Sequence, residues 1–315
     1  MKQHLHLHWK VNTDQTFVLN LDKNFNPYTD DRPLFFLKHK AHTFLGGERH
    51  IQIDTSDIPD FPMVSDKRLV ITQRADIISD VFDVVLAVDA ARRLGFKHIE
   101  LVLPYFPAAR QDRVCNTGEP LTLKVYTDMI NGCGFEAVYI FTPHSEVTPA
   151  LLNNVVVIDE LAYAEMVIND IICREPLHKA FNIVCPDAGA GKRTLKIVSH
   201  LAKTFSEMHF NLVRCEKIRD VRDGSLKDFF VQDDDLDGFP TIIFDDILSM
   251  GGTFIGLGEV LKSKNCGSLM LFTAHADCQK GIEKMVNYFD WYYTTNSRKH
   301  PDYGYDNFTM FDFSV

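Results

Sequence analysis

Two adjacent carboxylates, Asp245-Asp246, close the strand-like apolar run Thr241-Ile242-Ile243-Phe244, and after four more residues Gly251-Gly252-Thr253 opens an amphipathic stretch. An ionised carboxylate only accepts hydrogen bonds, so a pair at a strand end can take the vicinal 2- and 3-hydroxyls of a ribose. The glycines let the backbone approach a phosphate, and the amides ahead of the following helix point at that anion with the helix dipole behind them. A plain strand-turn-helix connection would also contain Gly and Asp. Both acids together with the loop Ser249-Met250-Gly251-Gly252-Thr253 describe a site for a phosphorylated ribose.

A second phosphate-type turn is Pro186-Asp187-Ala188-Gly189-Ala190-Gly191-Lys192-Arg193, after the strand-like Ile183-Val184. Its small residues clear space for an oxygen-rich group, Lys192 and Arg193 add charge, and Asp187 can hold Mg²⁺, which takes carboxylate and phosphate oxygens. Polyphosphate with a divalent cation is the matching ligand. A third polar cluster, Arg110-Gln111-Asp112-Arg113, follows the β-rich run His98 to Leu103, and His144 stands just beyond the run Glu136 to Phe141. Ligands of α/β sheets gather at such strand ends.

The elements that must position these residues follow from periodicity. Val81, Val84, Val85 and Val88 form one helical face, as do Phe254, Leu257, Val260 and Leu261, and Ser268 to Thr273 reads as a buried strand. Strand and helix patterns alternate from Asp80 onward, and a second series begins near Ala162. The expected architecture is therefore α/β, with two Rossmann-like domains, each a mainly parallel sheet flanked by helices, spanning 1–160 and 161–315. The acidic stretch Asp233 to Gly238 lacks EF-hand ligand spacing and reads as a solvated turn.

Bulk properties narrow the function classes. The chain has 315 residues, 45% hydrophobic and 24% charged, with a formal charge of -10 and no basic run, which argues against nucleic acid as a partner. No apolar stretch approaches the ~20 residues of a membrane span, and the N-terminus lacks a secretory pattern, so the cytoplasm is the expected location. Seven scattered cysteines without C-x-x-C spacing read as reduced thiols, mostly in the core. The alternation His4-x-His6-x-His8 reads as a strand face or surface segment rather than a metal site.

These clusters, in this order, resemble the ribose-phosphate diphosphokinase (phosphoribosyl pyrophosphate synthetase) family from about Phe44 to about Asn296. The resemblance implies two phosphoribosyltransferase-like domains and an ATP site completed by a neighbouring subunit of a homo-oligomer. Phe44 and Glu48 resemble the neighbour-supplied segment, and Arg110, Gln111 and Asp112 the nucleotide loop. His144 resembles a residue near the ATP phosphates and the metal, shared with Asp187. By the same resemblance, Asp187, Ala188, Gly189 and Ala190 form the diphosphate loop, and Asp245, Asp246, Ser249, Met250, Gly251, Gly252 and Thr253 bind the ribose phosphate. Glu216-Lys217-Ile218-Arg219-Asp220 resembles a mobile catalytic loop whose cations are Lys217 and Arg219.

The implied activity is Mg²⁺-dependent transfer of the β,γ-diphosphoryl group of ATP to the anomeric hydroxyl of ribose 5-phosphate. Three departures accompany the resemblance. Ser249-Met250 stands where the family has Asp-Thr, the N-terminal segment lacks the Ser/His-rich first loop, and Phe308 to Phe313 reads as a strand where a closing helix is expected. The first departure brings in a related acceptor, ADP-ribose, whose product would serve NAD salvage. A non-catalytic regulatory subunit is the alternative of another class, and the presence of Lys217, Arg219, His144 and Asp187 speaks against it.

Overall fold

The computed structural model describes residues 16–28, 33–56, 58, 64–219, 226–299 and 303–315. The His4-x-His6-x-His8 segment lies outside them. The chain divides into two compact units, one made of 1–158 with 297–299 and 312–315, the other of 159–296 with 300–311.

In the first unit the elements are β1 (Thr16–Asn20), β2 (Leu34–Phe36), β3 (His39–Thr43), β4 (Arg49–Ile53), β5 (Arg68–Thr72), α1 (Ile78–Arg93), β6 (His98–Val102), α2 (Thr122–Gly132), β7 (Val138–Phe141), α3 (Val147–Leu151) and β8 (Val155–Ile158). Six strands form a wholly parallel sheet in the order β2-β1-β5-β6-β7-β8, and β3 with β4 makes a separate antiparallel ribbon. The predicted valine face of α1 is the one buried: Val81, Val84 and Val88 enter the core with Leu69, Ile71 and Leu101, and Val85 packs beside them.

The second unit contains α4 (Leu161–Arg174), β9 (Ala180–Cys185), α5 (Gly191–Thr204), β10 (His209–Arg219), β11 (Leu226–Val231), β12 (Thr241–Leu248), α6 (Gly252–Ser263), β13 (Leu269–Ala276), α7 (Gln279–Tyr288), β14 (Trp291–Thr295) and β15 (Phe308–Phe311). Its sheet runs β11-β10-β9-β12-β13-β14-β15, parallel except for the β10–β11 pair. Phe254, Leu257 and Leu261 of α6 are buried against this sheet, as their spacing predicts, with Val260 partly buried. Strand β12 and its neighbour β13 are apolar on both faces at their cores, the pattern of parallel strands covered by helices.

Chain order reverses where β9 is flanked by β10 on one side and β12 on the other. Doubly wound sheets hold ligands at the carboxyl ends of the strands beside such a reversal. The turn after β9 carries Asp187, and β12 ends beside Ser249. The first unit reverses in the same way between β1 and β5, but an ion pair fills that point: Arg74 Nε donates to Asp22 at 2.7 Å, with both side chains buried. Arg74 also reaches the Arg298 carbonyl at 3.2 Å, and Arg298 Nε donates to Asp76 at 2.6 Å, so the returning segment 297–299 helps close the crevice.

Two expectations need correction. Residues 216–219 form the end of β10, not a loop, because Val213 and Cys215 alternate inward with Arg214 and Glu216 outward, a period of two that continues the strand. Of the seven cysteines only Cys133, Cys185 and Cys215 are buried; Cys115 and Cys173 are exposed and the other two half-buried.

Candidate active site

The turn after β9 is organised by Asp187. Its backbone is extended, Oδ1 accepts the Ala190 amide at 3.1 Å, and Oδ2 accepts Lys217 Nζ at 2.5 Å. Lys217 gets there because β10 pairs with β9 only as far as Arg214–Cys185 and then runs on past the sheet edge, over the turn. Phe229 of β11 packs against α6 at Gly256, where a Cβ would lie 3.2 Å from the ring, and this seats the β10–β11 hairpin. Burial pushes the Asp187 carboxyl up, but the Lys217 ammonium and the Ala190 and Gly189 amides outweigh it and hold the group below the usual carboxylate range. Ala188 and Gly189 are exposed and Ala190 is buried. Helix α5 starts at Gly191 with no side-chain cap, and the Gly191 amide bonds the Ala188 carbonyl in the short 3-10 turn before it.

At the end of β12, Asp246 is buried and Asp245 nearly so, and Arg193 from the first turn of α5 bonds Asp245 and lies 3.2 Å from Asp246. The Asp187 turn and the paired acids are thus bridged by one side chain, although Arg193 and Asp245 are far apart in sequence. Beyond the acids, Gly251 adopts φ +75 and caps α6, where a Cβ would also meet Met285 Cε at 2.3 Å, so the position takes glycine. Gly252 is exposed, Thr253 half-buried, and Met250 presents an apolar side chain to solvent, 48% exposed.

The Ser249-Met250 corner is held from behind. The Asp277 amide donates to the Leu248 carbonyl at 2.6 Å, Cys278 Sγ lies 3.8 Å from Met250 Sδ, and Gly281 passes so close that a Cβ would sit 1.9 Å from the Ser249 carbonyl oxygen. Sequence reasoning missed Gly281 and the bridging role of Arg193, since both act on residues distant along the chain.

In the first unit, Asp112 is buried and joins the loops after β6 and β7. It takes hydrogen bonds from Ser145 and from Arg113 Nε, the latter at 3.1 Å. Burial raises its carboxyl, but these bonds, with the Arg113 and His144 charges, hold it below the ordinary range. Asp112 and His144 are therefore neighbours, while Arg110, Gln111 and His144 are exposed. Phe44 and Glu48 occupy the tip of the β3–β4 ribbon: Phe44 is 50% exposed and its ring lies 4.6 Å from that of His42. Arg49 fixes the ribbon to α1 through a two-point pair with Asp83 at 2.7 and 2.6 Å, a clamp not anticipated from sequence. Arg219 ends β10 and its side chain lies outside the described residues.

A doubly wound unit with acids and a glycine turn at its switch point, in a chain with a second α/β unit of like winding, has the architecture of a phosphoribosyltransferase-like fold built twice. Comparison with known proteins makes this specific. Residues 34–134 match the model of the N-terminal domain of ribose phosphate pyrophosphokinase. A ribose-phosphate pyrophosphokinase of Campylobacter jejuni subsp. jejuni serotype O:2 is 28% identical over 235 residues, 74% of this chain and 70% of that protein. The Thermococcus kodakarensis protein of that name is 29% identical over 222 residues, 70% of this chain and 74% of its own. The crystal structure of phosphoribosylpyrophosphate synthetase from Mycobacterium smegmatis superposes with a TM-score of 0.74 at 17% identity, over 95% of this chain and 94% of that one, and shares the fold. The chain is therefore similar to ribose-phosphate pyrophosphokinases over roughly seven tenths of its length.

Proposed function

We propose that this chain is an ATP-dependent diphosphokinase that transfers the β,γ-diphosphoryl group to the anomeric hydroxyl of ribose 5-phosphate. The observation that carries the reading is the adjacency of two subsites at one switch point: the Asp187 turn beneath Lys217, and the Asp245–Asp246 pair, bridged by Arg193. One suits a diphosphate and the other a vicinal diol next to a phosphate.

In the reaction the anomeric oxygen forms a bond to the β-phosphorus, the bond from that phosphorus to the α,β-bridging oxygen breaks, the hydroxyl proton is lost, and AMP departs. Asp245 and Asp246 orient the sugar through its hydroxyls, and the amides of Gly252 and Thr253 take its phosphate. Lys217 and Arg219 supply positive charge to the transferring group, an effect greatest in the transition state. Lys217 must leave Asp187 to do so. Asp112 shapes the nucleotide loop beside His144, with Arg110 and Gln111 exposed for contact with ATP. Phe44 and Glu48 serve a neighbouring protomer, since the ribbon tip projects an exposed ring.

Among the described residues no three His, Cys, Asp or Glu side chains are grouped for a metal, so Mg²⁺ would need phosphate oxygens. The ionised carboxylate of Asp187 is the hard ligand such an ion takes. Mg²⁺ held by Asp187 would neutralise and orient the phosphates.

A second acceptor is favoured by one observation, the exposed Met250 in place of a hydroxyl donor. A thioether does not hold a terminal phosphate but packs against an attached group, as in ADP-ribose. Release of AMP from ATP, measured with ribose 5-phosphate and ADP-ribose at equal concentration, tests both. Turnover with ribose 5-phosphate is expected; AMP release above the blank with ADP-ribose alone would shift the assignment to that substrate, and none with either would end the kinase reading.

A further inference from the structure

One guanidinium at the start of α5 meets three carboxylates. Arg193 donates to Asp245 Oδ1, its NH1 lies 3.2 Å from Asp246 Oδ1, and its Nε lies 3.5 Å from Glu160 Oε1. Glu160 immediately precedes α4, and the two aspartates lie in the second half of β12, ahead of Ile247 and Leu248, so the cluster joins three elements of the same unit. Glu160 and Asp246 are buried, and the Arg193 side chain is 21% exposed.

Stability alone is a weak reason to bury such a network, because well-packed apolar groups of similar volume often serve as well or better. The chemistry of the acids gives a stronger one. A carboxyl that retains its proton can donate, whereas the ribose reading requires two pure acceptors. Two adjacent carboxyls out of water oppose each other's ionisation. Burial pushes the Asp245 carboxyl above the usual carboxylate range, Arg193 opposes this, and Asp246 adds to it. The charged groups facing Asp245 are Arg193 from α5 and Asp246 on its own strand, with Glu160 before α4 sharing the same guanidinium; β13 places the uncharged Thr273 opposite. A planar fork can grip two carboxylates at once, which a lysine ammonium cannot do with fixed geometry.

The location adds a second element. Arg193 follows the Asp187 turn within the first turn of α5, where Thr194 Oγ1 anchors the helix to the Ala190 carbonyl at 3.0 Å. A shift of the diphosphate turn therefore moves the group that holds the acids.

We propose that Arg193 is a positioning residue for the sugar acceptor: it fixes the Asp245–Asp246 pair as hydroxyl acceptors and couples that pair to the diphosphate turn. This deepens the acceptor reading above and rests on it. The test is calorimetric titration of ribose 5-phosphate and of ADP-ribose into the full chain and its R193Q and R193K variants, from neutral pH to about pH 9, with KM for ATP and for the acceptor measured alongside. Removing the charged donor in R193Q should weaken acceptor binding about 10- to 100-fold at neutral pH. The deficit should shrink as pH rises and the acids ionise unaided, KM for ATP should hold, and R193K should recover part of the loss.

Equal acceptor binding by parent and R193Q at every pH would overturn the proposal, as would a pH-independent loss that lysine does not relieve and that ATP shares. Should R193Q not fold, R193K decides: acceptor binding equal to the parent's rejects the role of the fork. A parent that binds neither sugar phosphate overturns the acceptor reading itself, and the inference with it.

Discussion

Lys217 Nζ lies 2.5 Å from Asp187 Oδ2, so the cation near the end of β10 is held by the carboxylate of the turn after β9. The pair aims the lysine at the turn after β9, and on the proposed reading an incoming phosphate competes with Asp187 for it.

Lys217→Ala should lower turnover by about 100-fold or more with ATP affinity nearly intact, because the charge acts mainly as the diphosphoryl group departs. A second readout is acid stability. Asp187 has a depressed pKa in the folded chain, so its contribution is present above its unfolded value of about 3.9 and is lost as pH falls through the lower folded value. Denaturant melts of parent and variant should therefore differ most above about pH 4 and converge below it. Turnover within about threefold of the parent would remove Lys217 from the mechanism.

Gly281 supports the acceptor loop by leaving room for the Ser249 carbonyl. In Gly281→Ala the new Cβ would stand 1.9 Å from a backbone oxygen, a clash that side-chain rotation cannot relieve. The loop must shift, costing about 1–3 kcal/mol of stability by the usual measure of overpacking. Acceptor KM should rise more than KM for ATP, and steady-state kinetics together with a thermal melt check both. An unchanged melting temperature and acceptor KM would show that α7 does not brace the loop.

The exposed ring of Phe44 calls for a partner surface. If a neighbouring protomer takes it, activity per chain should fall on dilution, and Phe44→Ala should raise KM for ATP without unfolding the ribbon, which Arg49–Asp83 anchors independently. Analytical ultracentrifugation paired with assays over the same concentrations reads this. A fully active monomer would rule out the shared site.

The parallel sheets and the strand-end acids were legible in the chain because each motif is local: a buried run, then a turn with its own glycine or carboxylate. Phe254, Leu257 and Leu261 announced α6 by spacing alone, and the Thr241–Phe244 run announced β12. The extent of β10 was not legible, since the cations at 217 and 219 read as loop-like until residues 215–219 are set against the facing strand β11. Nor were Arg193 with Asp245, Arg49 with Asp83, or Gly281 with Ser249. Each pair joins different elements, and only the topology brings them together.

On the proposed reading, the acceptor is chosen at Ser249-Met250. A terminal phosphate has several free oxygens and is best held by multiple donors, and here the corner offers a thioether that is 48% exposed and braced by Cys278 at 3.8 Å. Gly251 caps α6 in a left-handed conformation, and the uncapped amides of the helix start supply donors that need no side chain. Ribose 5-phosphate can bind through those amides, and a threonine at 250 would add a hydroxyl. Met250→Thr should therefore lower KM for ribose 5-phosphate by about three- to tenfold, the worth of one hydrogen bond in a solvent-accessible loop. The same change removes an apolar surface, so any use of ADP-ribose should decline. The ratio of kcat/KM for the two acceptors, parent against variant, is the measurement. A ratio unmoved by the substitution would mean that residue 250 does not choose the acceptor, and that the helix-start amides alone set the specificity.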